Sequence, residues 1–342
     1  MAPPNTVPQS TPTEPPAANK PSASPMPPPA TAAGSTAPPI PVATVPPPAE
    51  VTPAGPPPVT APTGSPNSVK PVAFPALQFI SNPSGNDPNA MVLSFDDGPD
   101  GMDGGQTAYI LDQLKVLGVK GSFYVCGHVY TDVLTDSRAQ RDIQRMVAEG
   151  HTLGSHTMRH PHLGNINTNV LAEMNDNQNM VLDKLVLGPA APLMATYRAP
   201  FGDPFQTNVV ESVTRVAPLT QPYGVHVGWS ITSDDVGCAA LADPNSACVV
   251  NNIKAALDKG RRGIILMHSV YRVTGDALPA IVAECRRRGL YFTTADKLIE
   301  SKYGATPEAI MAANKKAAFT PAQITAEALT QGKLNNDAGT AP

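Results

Sequence analysis

Neither sign of charge dominates this 342-residue chain: 24 Lys and Arg against 28 Asp and Glu leave a net of −4. No basic stripe is available for nucleic acid or anionic lipid. No apolar run approaches the roughly 20 residues of a membrane span. Cysteine is scarce, and none of the four shows the close paired spacing of a structural zinc site. Cys126 ends an apolar run and Cys285 falls on the apolar face of a predicted helix, so both read as small hydrophobes. Cys238 and Cys248 flank a loop of Ala, Asp, Pro and Asn and are expected to pair if the protein is exported. The opening Met1-Ala2-Pro3-Pro4-Asn5 has neither the basic region nor the apolar core of a secretion signal. Either the chain is trimmed or mis-started, or the protein stays inside.

Aromatic residues are missing altogether before Phe74, whereas 27 of the 40 prolines lie in residues 1–90. Up to Lys70 the only charges are Glu14, Lys20, Glu50 and Lys70, in a background of Pro, Ala, Thr and Ser. Such a segment cannot bury enough apolar surface to offset its ordering entropy. Residues 1–71 are therefore expected to be a disordered, partly polyproline linker, either a tether for a catalytic domain or an inert tail.

From Val72 the pattern changes to alternating strand-like and helix-like segments. Strands are predicted over Ala90–Phe95, Gly121–Val125, His151–Ser155, Ala195–Arg198, Val225–Ser230 and Gly263–Met267. Helices are predicted over Gln106–Leu117, Ala139–Glu149, Val170–Leu187, Asn208–Val216, Val249–Asp258, Leu278–Arg288 and Thr294–Tyr303. This alternation predicts an α/β domain with a parallel, barrel-like sheet over residues 72–303. Residues 304–342 form a C-terminal tail with two weaker helical stretches, Pro307–Lys316 and Pro321–Thr330.

Five side-chain clusters fall at the C-terminal ends of predicted strands, where α/β folds place their chemistry. The first is Ser94-Phe95-Asp96-Asp97-Gly98-Pro99. Two adjacent carboxylates are costly unless a cation or arginine compensates them, although Asp-Asp-Gly-Pro is also ordinary turn chemistry. The second, His156-Thr157-Met158-Arg159-His160, sets two imidazoles four residues apart, facing one way if the segment is a helical turn. With one Asp they make an open three-ligand site. In the third, Arg198-Ala199-Pro200-Phe201, a guanidinium stands before a rigid turn and can hold a carboxylate through a bidentate pair. The fourth runs from Trp229, a core aromatic by default, to Asp234 and Asp235. The fifth, Leu266-Met267-His268, puts a histidine after a buried strand, where a carboxylate neighbour would make it a general acid.

These five motifs, in this order, resemble those of the NodB-like polysaccharide deacetylases, carbohydrate esterase family four, over about Val72–Tyr303. The resemblance implies a distorted (β/α) barrel and one divalent cation, usually zinc, with Co2+, Mn2+ or Fe2+ as other choices, bound by Asp97, His156 and His160. It also implies Asp96 as general base, Arg198 as its orienting partner, His268 as general acid and the Phe201 backbone amide, after Pro200, as oxyanion donor. Trp229 and Leu266 would line the substrate groove. Two positions depart from the family pattern. Phe201 stands where Tyr is common, and Thr232, Asp235 and Val236 stand where the fourth motif commonly carries an acid and then an Asp-Trp pair. Asp235 is thus the expected partner of His268, with Asp234 the alternative.

The implied activity is metal-dependent removal of N-acetyl groups from a GlcNAc-containing polysaccharide of peptidoglycan or chitin type. Two other readings are an acetylxylan O-acetyl esterase and a non-catalytic carbohydrate-binding wall module. The unshielded acid pair disfavours the last. A monomer is expected, secreted or in the cell envelope or periplasm. His151 and His162 are expected outside the cation site.

Overall fold

The computed structural model describes residues 74–82, 87–182, 188, 191–207, 209–317 and 319–337. The linker expected over 1–71, and residues 183–187 of the helix predicted to end at Leu187, lie outside the described residues. A parallel sheet organises the rest. Its strands are β1 (Phe79–Ile80), β2 (Ala90–Asp96), β3 (Gly121–Val125), β4 (Thr152–Ser155), β5 (Thr196–Tyr197), β6 (Val225–Val227), β7 (Ile231–Thr232), β8 (Gly263–His268) and β9 (Tyr291–Thr293). They run in the order β1-β6-β5-β4-β3-β2-β8-β7, with β9 on β2. Every pairing is parallel, and among the described residues none joins β7 to β1. The sheet is therefore a curled, open half-barrel.

Ten helices accompany it among the described residues: α1 (Gln106–Leu117), α2 (Ser137–Ala148), α3 (Val170–Leu182), α4 (Val210–Thr220), α5 (Asp235–Ala239), α6 (Ser246–Asp258), α7 (Arg272–Arg287), α8 (Ala295–Tyr303), α9 (Pro307–Asn314) and α10 (Pro321–Asp337). Local chemistry sets several ends. Asp136 caps α2 by accepting from the Arg138 amide, and Gly118 ends α1 at φ 66°. The α7 helix starts six residues before the predicted Leu278, because neither Gly275 nor Pro279 breaks it. Gly275 is required there, since a Cβ would stand 2.6 Å from the Tyr109 ring of α1.

The central strand β2 is buried along its whole length. Its period of two sends Met91, Leu93 and Phe95 outward, into a core shared with Ile110, Leu114 and Ile281 of the helices. Ala90 and Val92 point inward, against Ile264, Val227 and Tyr124. Leu298 and Ile299 of α8 and Ile310 of α9 join that inner core. Ile324 and Ala328 of α10 pack with Val213 and Val216 of α4. The two weak C-terminal helices thus belong to the packed body, even though their low sequence amphipathicity gave them no role.

Candidate active site

Asp96 continues the inward series Ala90, Val92, Ser94 and so ends inside the curled sheet, 3 % exposed. Strand alternation would aim Asp97 at the opposite face. It does not, because Asp97 adopts φ 72° and its carboxylate swings back to the same side. Both carboxylates then meet one imidazole: His156 Nε2 lies 3.6 Å from Asp96 Oδ2 and 3.4 Å from Asp97 Oδ1. His160 Nε2 lies 3.3 Å from the same Asp97 oxygen. The expected helical turn under His156 and His160 is absent. An irregular loop after β4, with Thr157 at φ 69° and His160 at φ 59°, brings the two rings to 4.8 Å. Asn177 of α3 fixes that loop by donating to the carbonyls of Val125 and Thr157.

Arg198 is wholly buried and donates through NH1 to Asp96 Oδ1 at 2.7 Å. The contact is single, not bidentate, because Nε and NH2 are taken by the carbonyls of Val227 and Gly228. Its carbon CZ stands 4.3 Å over the Tyr124 ring and 5.8 Å from that of Trp229, so Trp229 backs the guanidinium. Asp235, not Asp234, partners His268. Its Oδ1 lies 2.8 Å from His268 Nδ1, and its Oδ2 accepts from the His268 amide and the Thr274 hydroxyl. Burial works against a charged His268 ring, but the Asp235 hydrogen bond and charge outweigh it and lift the group to about 9. Asp96 and His268 are register partners on adjacent β2 and β8, which sets base and acid candidates side by side.

After Arg198 the chain makes a 3-10 turn, Pro200–Gly202, in which Phe201 takes φ 59°. The Phe201 ring meets His160 edge-on at 4.6 Å and stacks on His162 at 4.0 Å. Leu266 is buried in β8. His151 and His162 stand apart from the cluster: His151 accepts from the Gly121 amide, and His162 contacts Asp203 at 3.3 Å. Two further residues of the site had no sequence cue. Tyr124 hides in an apolar strand. His226, buried among Phe79, Tyr197 and Phe205, accepts from the Ala199 amide and supports the Phe201 turn.

The donor set suits a cation. His156 Nδ1 donates to the Arg198 carbonyl at 2.8 Å, leaving Nε2 as the lone-pair nitrogen. Asp97 Oδ1 is buried with no hydrogen-bond donor. The three candidate ligand atoms, from Asp97, His156 and His160, lie within 4.8 Å of one another. Their 3.3 and 3.4 Å contacts match the edges expected around an ion with bonds of about 2.0–2.2 Å. Burial pushes His160 down to about 4, keeping the ring neutral as a ligand must be.

An open α/β barrel with a two-His, one-Asp cation site at its strand mouth, flanked by Asp–Arg and Asp–His pairs, defines a class of metal-site proteins. A family model described as polysaccharide deacetylase matches residues 84–221, which carry every motif up to Phe201. The chitooligosaccharide deacetylase of Bradyrhizobium sp. is 32% identical over 184 residues, 53% of this chain and 71% of that protein. The chain belongs to the polysaccharide deacetylase family. It is also 28% identical over 212 residues to the peptidoglycan-N-acetylglucosamine deacetylase of Listeria monocytogenes, covering 62% of this chain and 39% of that relative. The chain therefore spans about two fifths of that relative's length. The solved chitin deacetylase of the fungal pathogen Colletotrichum lindemuthianum shares the fold, with a TM-score of 0.54 at 20% identity over 69% of this chain and 95% of that one.

Proposed function

We propose that this protein hydrolyses the N-acetyl group of a GlcNAc-containing polysaccharide, of peptidoglycan or chitin type, with a divalent cation held by Asp97, His156 and His160. The observation that carries this reading is the placing of Asp96 and His268 beside that ligand set, each already bonded to its own charged partner. A divalent cation bound there supplies Lewis acidity toward the acetyl carbonyl and makes water more acidic. Asp96, oriented by Arg198, takes the proton of the attacking water. The Phe201 amide, held beside His160 by its turn, donates to the developing oxyanion. His268 gives its proton to the sugar nitrogen as the C–N bond breaks, leaving acetate and a free amine. Trp229 acts behind Arg198, and Leu266 packs the strand that presents His268.

Zinc is the first choice of ion, while cobalt, manganese and iron suit the same donors. The cysteine pair supports a secreted or envelope location, with the Pro-rich residues 1–71 as a tether and a distorted family barrel from residue 72. Among the described residues no helix is long and apolar enough to cross a membrane. We expect a monomer. Acetate release compared on chitooligosaccharide, peptidoglycan and acetylxylan tests the reading. Release from the first two above acetylxylan is expected, and release from acetylxylan alone would replace N- with O-deacetylation.

A further inference from the structure

The fourth motif has Val236, 45 % exposed, where the family pattern commonly carries Trp. Two tyrosines rise instead from the strands on either side of β2. Tyr130 lies in the loop after β3, and Tyr271 follows β8 as the residue immediately before α7. The roots of both loops are tied to the aspartate turn. The Cys126 amide donates to the Gly98 carbonyl, and the Ser269 amide and hydroxyl donate to the Asp96 carbonyl. The Tyr271 ring meets the His268 ring edge-on at 5.9 Å. Tyr130 is 48 % exposed, and its hydroxyl lies 3.5 Å from that of Tyr271. The pair therefore bridges the mouth above Asp96 and Asp97.

The geometry points to Tyr130 and Tyr271 as specificity-determining residues that receive a pyranose ring of the polymer on the His268 side of the site. A pyranose offers a C–H face and a rim of hydroxyls. A tyrosine ring with a polar tip complements both. The two tyrosine hydroxyls, at 3.5 Å, are well beyond the roughly 2.8 Å optimum, so their hydrogen-bonding capacity is largely unspent and open to sugar hydroxyls. Tyr130 is exposed, and Tyr271 is half-buried with one side of its ring against the core, so the hydroxyl tips and outer edges are what the pair presents. This assignment rests on the deacetylase reading and names the substrate feature that the site selects: a chain of sugars, as opposed to an isolated acetyl group.

Two measurements test it. With metal-loaded protein, kcat/KM is compared on a GlcNAc oligomer and on an aryl acetate that lacks sugar. Tyr271→Leu should lower the oligomer-to-aryl-acetate ratio by about three- to tenfold, chiefly through the oligomer KM. Tyr130→Phe with Tyr271→Phe, which keeps the ring packing, should lower it less. Oligomer affinity is then measured in the Asp96→Asn background with and without Tyr271→Leu, where turnover does not intrude. The second substitution should weaken binding by a similar factor. An unchanged ratio together with unchanged affinity overturns the role of the pair. Wild-type protein that releases no acetate from any acetylated substrate overturns the deacetylase reading instead, so the two failures are distinct.

Discussion

The adjacent aspartates divide their work by backbone conformation. Strand periodicity correctly places Asp96 inside the sheet, but nothing in the letters reveals that Asp97 turns left-handed and joins it. The candidate ligand set was legible because the chain has only 7 His, and two of them stand four residues apart at a strand end, as Asp97 does at another. Its loop geometry was not, since Thr157 and His160 take positive φ values that no residue type there advertises. Asp96→Asn should keep the ion and lose at least about a hundredfold in turnover, because an amide cannot accept the water's proton. Asp97→Asn should instead lower metal affinity, with activity partly restored by excess metal. Metal analysis beside initial rates separates the two. His268 is protonated below about 9 and so can donate across the neutral range. Asp235→Asn removes the hydrogen bond and the charge that raise it most, and leaves the burial that lowers it. The alkaline limb of the rate profile should therefore move to lower pH, and a profile unchanged from wild type would exclude Asp235 as the positioning group.

At the scale of elements, strongly periodic segments were read most closely: α1 and β3 match their predicted limits, and β2 and β8 differ by one residue. Among the short elements, β5 and β6 fall inside predicted strands, whereas β1, β7, β9 and the five-residue α5 escaped, because so few residues show no period of their own. The helix α5 starts on the last residue of the fourth motif, and the Cys238–Cys248 disulfide ties it to α6 across a separation of 10 residues. Cys238 lies in the core, while Asp235 at the start of the same helix holds His268. Replacing both cysteines by serine should cost about 2–3 kcal/mol of stability, the value expected for so short a closed loop. Urea unfolding measures it, and a midpoint equal to that of the oxidised protein would deny the bridge a stabilising role.

The whole domain is a half-barrel lined by an inner core that α8 and α9 enter from the C-terminal part of the chain. Alternating strands and helices made the α/β class legible, but the strand order and the open edge depend on long-range pairing that no local pattern contains. At the start of α8 stands a half-buried acid. Asp296 Oδ1 is buried without a partner, and burial, then Glu308 and Glu300, raise its carboxyl to about 7. The folded chain keeps this proton between about pH 4 and 7, whereas the unfolded chain releases it near the ordinary value of about 3.9. Asp296 therefore takes stability away as pH rises through that window. Asp296→Asn should flatten the fall, seen in urea midpoints at pH 5 and 7, and an identical fall in the variant would refute the assignment.

Whether the three-ligand site carries out acetyl hydrolysis is read from acetate release from a GlcNAc oligomer as a divalent metal is titrated into chelator-stripped protein. No release is expected without metal, then a rise to a plateau at one ion per chain, with one free amine for each acetate. Release undiminished in stripped protein, or none after full loading, would contradict that role of the site.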